Sequence, residues 1–190
     1  MQKGEKVCEI RLSIPGKHNI LNSMACAAVC LYLGMDPEEM ALHIDKFPGA
    51  GRRFEILGEV GGVTIADDYA HHPTEIAATL RAAKEMDFNE VWAVFQPFTY
   101  SRTALLMDDF VTALSVADHV VMSEIMGSRE KNTYNVYTKD LADKIPGSVW
   151  FNTFKEMADY TMSHAKPGDL VITLGCGDVY KCAYIMAGID

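Results

Sequence analysis

Three features that would each mark a class of protein are scarce or missing. No apolar stretch approaches the ~20 residues needed to cross a bilayer, and the polar opening Met1 to Lys6 offers no signal-peptide core. A cytoplasmic protein with no membrane partner is therefore expected. Positive charge is low: 17 basic residues face 26 acidic ones, a formal net charge of −9, which disfavours binding to nucleic acid phosphates or anionic lipid. Small molecules are the expected partners. The five cysteines (Cys8, Cys26, Cys30, Cys176 and Cys182) are odd in number, and their mostly apolar or helical surroundings suit reduced thiols better than a disulfide framework. Cys26 and Cys30 share helical spacing, but no histidine or second cysteine pair follows at zinc-finger distance, so packing is the better reading. Fixed-period repeats and low-complexity tracts are also missing. With 49% hydrophobic residues, a chain of 190 can bury a full core.

What is present changes character near residue 50. After a short strand-like start, Ile20, Met24, Ala28 and Leu31 recur at helical spacing up to Gly34. Asp36-Pro37-Glu38-Glu39 then supplies an N-cap, a proline at the first helical position and an acid at the third, predicting a second helix to about Lys46. The run Phe47-Pro48-Gly49-Ala50-Gly51 breaks this pattern, and the domain boundary is placed here, with residues 1–51 before it and 52–190 after it. From Arg53 onward, short apolar runs alternate with helical segments, the pattern of an α/β fold with a mainly parallel sheet. Strands are expected at Phe54 to Val60, Val63 to Asp67, Val91 to Phe95, His119 to Met122, Ser148 to Phe151 and Leu170 to Leu174. The first two flank the hairpin signal Gly61-Gly62.

In open parallel sheets ligands bind beyond the carboxyl ends of strands, so the residues after each apolar run are the candidates. Asp67-Asp68-Tyr69-Ala70-His71-His72-Pro73-Thr74-Glu75 places two acids, an aromatic and two imidazoles between a strand and a helix beginning at Pro73. Adjacent histidines in an extended turn point apart, which argues against a shared metal. The plainer alternative is that Asp67, Asp68 and Thr74 cap the helix and satisfy loop amides. Gln96 to Thr103 puts Arg102 just before a helix, where a guanidinium fork and a helix N-terminus would both favour an anion; pairing with Asp108 or Asp109 is the alternative. Gly175-Cys176-Gly177-Asp178 reads as G-x-G-x-x-Tyr, an incomplete dinucleotide fingerprint that a tight strand-to-helix turn explains equally well. Cys176 has no histidine near in sequence to activate it as a nucleophile. Before the boundary, His18, Asn19 and Asn22 open the first helix, with the asparagines at i,i+3, suited to a purine edge or ribose; helix capping by Asn19 is the alternative. The Gly16-Lys17 pair lacks the rest of a P-loop.

Taken in order, G-K-H-N-I-L-N, G-A-G-R-R-F, D-D-Y-A-H-H-P-T-E, Q-P-F-T-Y-S-R-T and G-C-G-D resemble the last part of the Mur ligases, and most of all the branch that joins L-alanine to UDP-N-acetylmuramate. The likeness covers nearly the whole chain, and the segment from Asp67 to Glu75 is its most specific element. It implies a Rossmann-like sheet with flanking helices, preceded by a helical remnant of a central ATP-binding domain. It also implies an enzyme of peptidoglycan precursor synthesis in which ATP, with Mg2+, phosphorylates the muramate carboxylate and the alanine amine attacks the acyl phosphate. By matching positions, His18, Asn19 and Asn22 fall on the adenine side. Arg53 falls at the ATP-dependent step, Asp68 on the nucleotide side, and Tyr69, His71 and Arg102 around the amino acid and acyl phosphate; Arg53, Asp68 and His71 would act in catalysis. Phe98 and Cys176 depart from the histidine and alanine usual in the family. With no P-loop in the sequence, this chain is expected to hold neither ATP nor Mg2+ alone, to be inactive alone, and to self-associate through exposed faces of the remnant helices. A sister ligase attaching a tripeptide to the same muramate, and a non-catalytic module binding a nucleotide or amino acid, are the competing readings.

Overall fold

The computed structural model describes residues 6–189, which divide into two units between Ala50 and Gly51. In the first unit, α1 (Lys17–Tyr32) and α2 (Pro37–Asp45) pack as a helical pair. The start of α2 follows the expected chemistry: Asp36 accepts from the amides of Glu38 and Glu39, and Pro37 takes the first position. Among the described residues the opening segment forms no strand. It runs instead as irregular chain tied to the end of α2, with the Arg11 amide donating to Asp45 (2.7 Å) and the Ser13 hydroxyl to the Phe47 carbonyl (2.9 Å). Asn19 does not cap α1 either; its amide donates to the Pro15 carbonyl at 2.6 Å, and Gly16 holds the N-cap position without a side-chain bond.

The second unit is a six-stranded sheet in the order β1-β2-β6-β3-β4-β5. The strands are β1 (Glu55–Val60), β2 (Val63–Asp68), β3 (Val91–Phe95), β4 (His119–Ser123), β5 (Val149–Phe151) and β6 (Leu170–Leu174). Only the β1–β2 hairpin is antiparallel. Along β3 the pleat sends Val91, Ala93 and Phe95 to one face and Trp92 and Val94 to the other, and both faces are covered, which is why the run is continuously apolar. α3 (Pro73–Lys84), α5 (Met107–Leu114) and α6 (Thr138–Ala142) cover the first face, and α7 (Phe154–His164) and α8 (Tyr180–Ala187) the second. Among the described residues no helix is long and apolar enough to cross a membrane.

One element was not foreseen. The Gln96 to Thr103 segment does not lead as loop up to a single helix at Leu106; it contains its own short helix, α4 (Tyr100–Leu105), capped by the Thr99 hydroxyl, and Arg102 lies inside it. The topology explains why the flagged segments matter. β6 returns between β2 and β3, so Asp68, Leu174 and Phe95 stand level on neighbouring strands. The chain then leaves β2 and β3 towards one face and β6 towards the other, which opens a crevice at their carboxyl ends.

Candidate active site

The site is organised around a kinked arch at Arg52-Arg53-Phe54. Arg52 (φ 57°) and Phe54 (φ 48°) both adopt left-handed backbone, which bulky side chains avoid, so their surroundings must hold them. Four bonds do so. The Arg52 amide donates to Glu55 Oε2 (2.7 Å), its carbonyl accepts from the Tyr69 amide (2.8 Å), the Phe54 amide donates to Asp68 Oδ2 (2.8 Å), and Arg52 Nε donates to Asp67 Oδ2 (2.7 Å). The kink separates the two arginines. Arg52 turns inward, its Nη2 reaching the Gly175 carbonyl at 2.8 Å and its guanidinium lying between the Tyr69 and Tyr180 rings, 5.0 and 4.7 Å from their centroids. Arg53 lies over Tyr69 at 5.6 Å.

The two acids are not helix caps. Asp67, 1% exposed, pairs with Arg52 and accepts from the Thr173 hydroxyl at 2.6 Å. Asp68 gives one oxygen to the Ala70 amide (2.7 Å) and the other to Phe54, tying the turn after β2 to the arch. Burial pushes its carboxyl above the ordinary range, although those two amides and the Arg53 charge pull the other way. The start of α3 is capped instead by His72, whose ring accepts from the Thr74 amide (3.3 Å) while Glu75 reaches back to the amides of His72 (3.2 Å) and His71 (3.1 Å). Burial raises the Glu75 carboxyl, but the His71 amide and charge, the His72 amide and Arg53 outweigh it, so it stays below its ordinary value. The His71 Nδ1 lies 3.0 Å from the Tyr69 carbonyl and 3.4 Å from Glu75 Oε2. A carbonyl can only accept, so Nδ1 is assigned the proton and Nε2 the open lone pair.

Arg102 does not pair with Asp108 or Asp109. Its Nη1 meets the His71 carbonyl at 3.4 Å, bringing α4 against the turn after β2. Among the described residues neither Arg53 nor Arg102 has a carboxylate within ion-pair distance, whereas Arg52 does. The start of α4, expected to help attract an anion, is already occupied. Glu130 accepts from the Ser101 amide (2.8 Å) and hydroxyl (2.5 Å), and Thr99 from the Arg102 amide (3.3 Å).

The turn after β6 closes the crevice floor. Gly177 leaves no room for a side chain, since a Cβ would stand 2.6 Å from Gln96 Oε1, the atom that accepts from the Asp178 amide. Cys176 sits in this turn, its thiol pushed up by burial although Arg102 and Arg52 pull it down. Tyr180, the last residue of the G-x-G-x-x-Tyr pattern, packs on Arg52. Tyr69, His71, Arg53, Asp68 and Arg102 thus come together, along with Arg52, Asp67, Glu75 and Glu130, which the sequence did not single out as site residues. His18, Asn19 and Asn22 lie in the first unit, where Asn22 donates to Asn19 across one turn at 3.4 Å.

The family model for the Mur ligase, glutamate ligase domain, matches residues 52–177. A UDP-N-acetylmuramate–L-alanine ligase of Alkaliphilus metalliredigens is 43% identical over 187 residues, 97% of this chain and 41% of that protein. Its counterpart from Caldicellulosiruptor saccharolyticus is 44% identical over 180 residues, 93% of this chain and 40% of that protein. Among solved structures, a UDP-N-acetylmuramate–alanine ligase from Thermotoga maritima superposes with a TM-score of 0.81 at 27% identity, covering 97% of this chain and 40% of that one. The chain therefore spans about two fifths of the length of the curated relatives it matches.

Proposed function

The chain belongs to the Mur ligase family through its glutamate ligase domain, and we propose that it is the amino-acid half-site of an ATP-dependent ligase joining L-alanine to UDP-N-acetylmuramate. One observation carries this reading: two guanidiniums, Arg53 and Arg102, which among the described residues have no carboxylate within ion-pair distance, stand beside Tyr69 and His71 at the carboxyl ends of β2 and β3. Such an arrangement suits small anions arriving from solution.

In the reaction the γ-phosphoryl group of ATP moves to a carboxylate oxygen of the muramate, releasing ADP. The alanine amine then attacks the acyl carbon, an amide bond forms, and inorganic phosphate leaves. A carboxylate resists direct attack at neutral pH, whereas phosphate departs readily once cations hold its charge. Arg102 grips the alanine carboxylate and leaves its amine free. His71, with Nδ1–H committed to the Tyr69 carbonyl, presents Nε2 to take the proton that the ammonium sheds. Arg53 faces the transferring phosphate, and Asp68 keeps the arch carrying Arg53 in place on the nucleotide side. His18, Asn19 and Asn22 serve the adenine end. Magnesium would accompany the nucleotide and neutralise its phosphates; among the described residues no group of three or more His, Cys, Asp or Glu side chains is arranged to hold it.

The test uses the full-length protein. Phosphate release should require ATP, UDP-N-acetylmuramate and L-alanine together, and Arg102→Ala should lower kcat/KM for L-alanine about 100-fold, the scale of a lost charge-assisted pair. A preference for a tripeptide over L-alanine, or binding of nucleotide without turnover, would overturn the proposal. The 190-residue chain alone should release no phosphate in response to alanine.

A further inference from the structure

The loop that follows β4 carries Glu130, 29 residues beyond Ser101, the α4 residue that it holds. α4 is six residues long with no acid of its own in its first turn, and helices of that length do not hold together unaided. Glu130 supplies the missing anion with two bonds to Ser101, and these bonds hold its own carboxyl below the ordinary range. The rest of the loop is seated as well. The Met126 amide donates to the Pro97 carbonyl at 3.0 Å. Gly127, at φ 75°, lies so close to the Tyr100 ring that a Cβ would stand 2.8 Å from it. Asn132 closes the loop on itself through the Val136 amide (3.1 Å) and carbonyl (2.9 Å). Arg102 occupies the position after Ser101 and has little else to orient it, since its one side-chain bond among the described residues, to the His71 carbonyl, is long at 3.4 Å.

We propose that Glu130 is a positioning residue for amino-acid recognition: by clamping Ser101 it sets the pitch and place of α4, and thereby aims the Arg102 guanidinium at the substrate carboxylate. This rests on the role proposed above for Arg102. Glu130 touches no reacting atom and acts through α4 and through its charge on Arg102.

A double-mutant cycle in the full-length protein tests it, with KM for L-alanine and for ATP as separate readouts. Glu130→Ala should raise KM for L-alanine about tenfold, the worth of a charge-assisted bond, while KM for ATP moves less than twofold. In an Arg102→Ala background the Glu130→Ala change should add nothing, because its effect passes through the missing guanidinium. Glu130→Gln, which still accepts from Ser101 without the charge, should recover part of the loss. If Glu130→Ala leaves KM for L-alanine unchanged, or if its effect adds fully to that of Arg102→Ala, the positioning role is overturned. If Arg102→Ala itself leaves that KM unchanged, it is the proposed role of Arg102 that fails. Equal rises in both KM values would mark a general structural defect and also overturn the inference.

Discussion

The two ends of the sheet treat charge in opposite ways. At the amino end several ionic groups are paired. Lys84 holds both oxygens of Asp118 at 2.8 and 2.7 Å, Asp118 also accepts from the Val91 amide, His119 meets Glu90 at 3.1 Å and stacks on Trp92, and the Trp92 indole donates to Asp169 at 3.2 Å. At the carboxyl end, the Arg52–Asp67 pair and Glu130 brace an arrangement in which, among the described residues, Arg53 and Arg102 have no carboxylate within ion-pair distance and Arg52 and Phe54 keep a left-handed backbone. Satisfied charge at one end stabilises the fold. Guanidiniums without ion-pair partners and a strained backbone at the other lie where we propose that a ligand binds.

This contrast can be broken experimentally. The largest effect is expected at the brace. Arg52→Ala leaves the Asp67 carboxylate, 1% exposed, without its counter-charge and should cost about 3 kcal/mol in urea unfolding. Arg52→Lys, which keeps the charge but not the planar fork reaching Gly175, should cost less.

A smaller effect is expected at the amino end. The Lys84–Asp118 pair is partly exposed, so Asp118→Asn should cost about 1 kcal/mol. Burial pushes the Asp118 carboxyl up, but the Lys84 bond and charge and the Val91 amide prevail, and it lies below the ordinary 3.8. The native state thus binds this proton less readily than the unfolded chain. Its stabilisation is complete above pH 3.8 and is lost as pH falls through the lower native value, so Asp118→Asn should flatten the acid limb of a stability–pH curve. A cost at Asp118 exceeding that at Arg52 would dissolve the contrast.

The smallest signal is chemical. The Cys182 thiol is fully buried on the inner face of α8, and burial pushes it up to about 12. It should resist alkylation at pH 8 until the protein unfolds, while Cys176, part-exposed in the crevice, should label in the native state. Peptide mapping by mass spectrometry reads both.

Much of this was legible in the residues. β3 and β6 fall where their apolar runs begin and end, and Asp36-Pro37 announces α2. Carboxyl-end placement pointed to the turns after β2, β3 and β6 because strand ends are where an open sheet exposes its loops. Other features were not legible, for identifiable reasons. His72 takes the cap expected of Asp67, Asp68 or Thr74 because both acids are drawn down to the arch. Nothing in the Arg52-Arg53 doublet says which arginine turns inward, since that depends on the left-handed kink and on Asp67 and Gly175, 15 and 123 residues away. The spacing of Ile20, Met24, Ala28 and Leu31 announced the helix α1, yet Ile20, Met24 and Ala28 are exposed and no residue of α1 is fully buried, because periodicity specifies a face and not its cover.

By itself the sequence determined the alternation of strand and helix, the break at residue 50 and the set of side chains able to do chemistry, since these depend on local propensity and on spacing along the chain. Only the tertiary structure decided which of those side chains are committed and which are free. Asp67 pairs with Arg52 and Glu130 fills the start of α4, while among the described residues Arg53 and Arg102 have no carboxylate within ion-pair distance. Charge compensation is settled by proximity in space, and proximity between residues far apart in the chain is created by the order in which strands join the sheet.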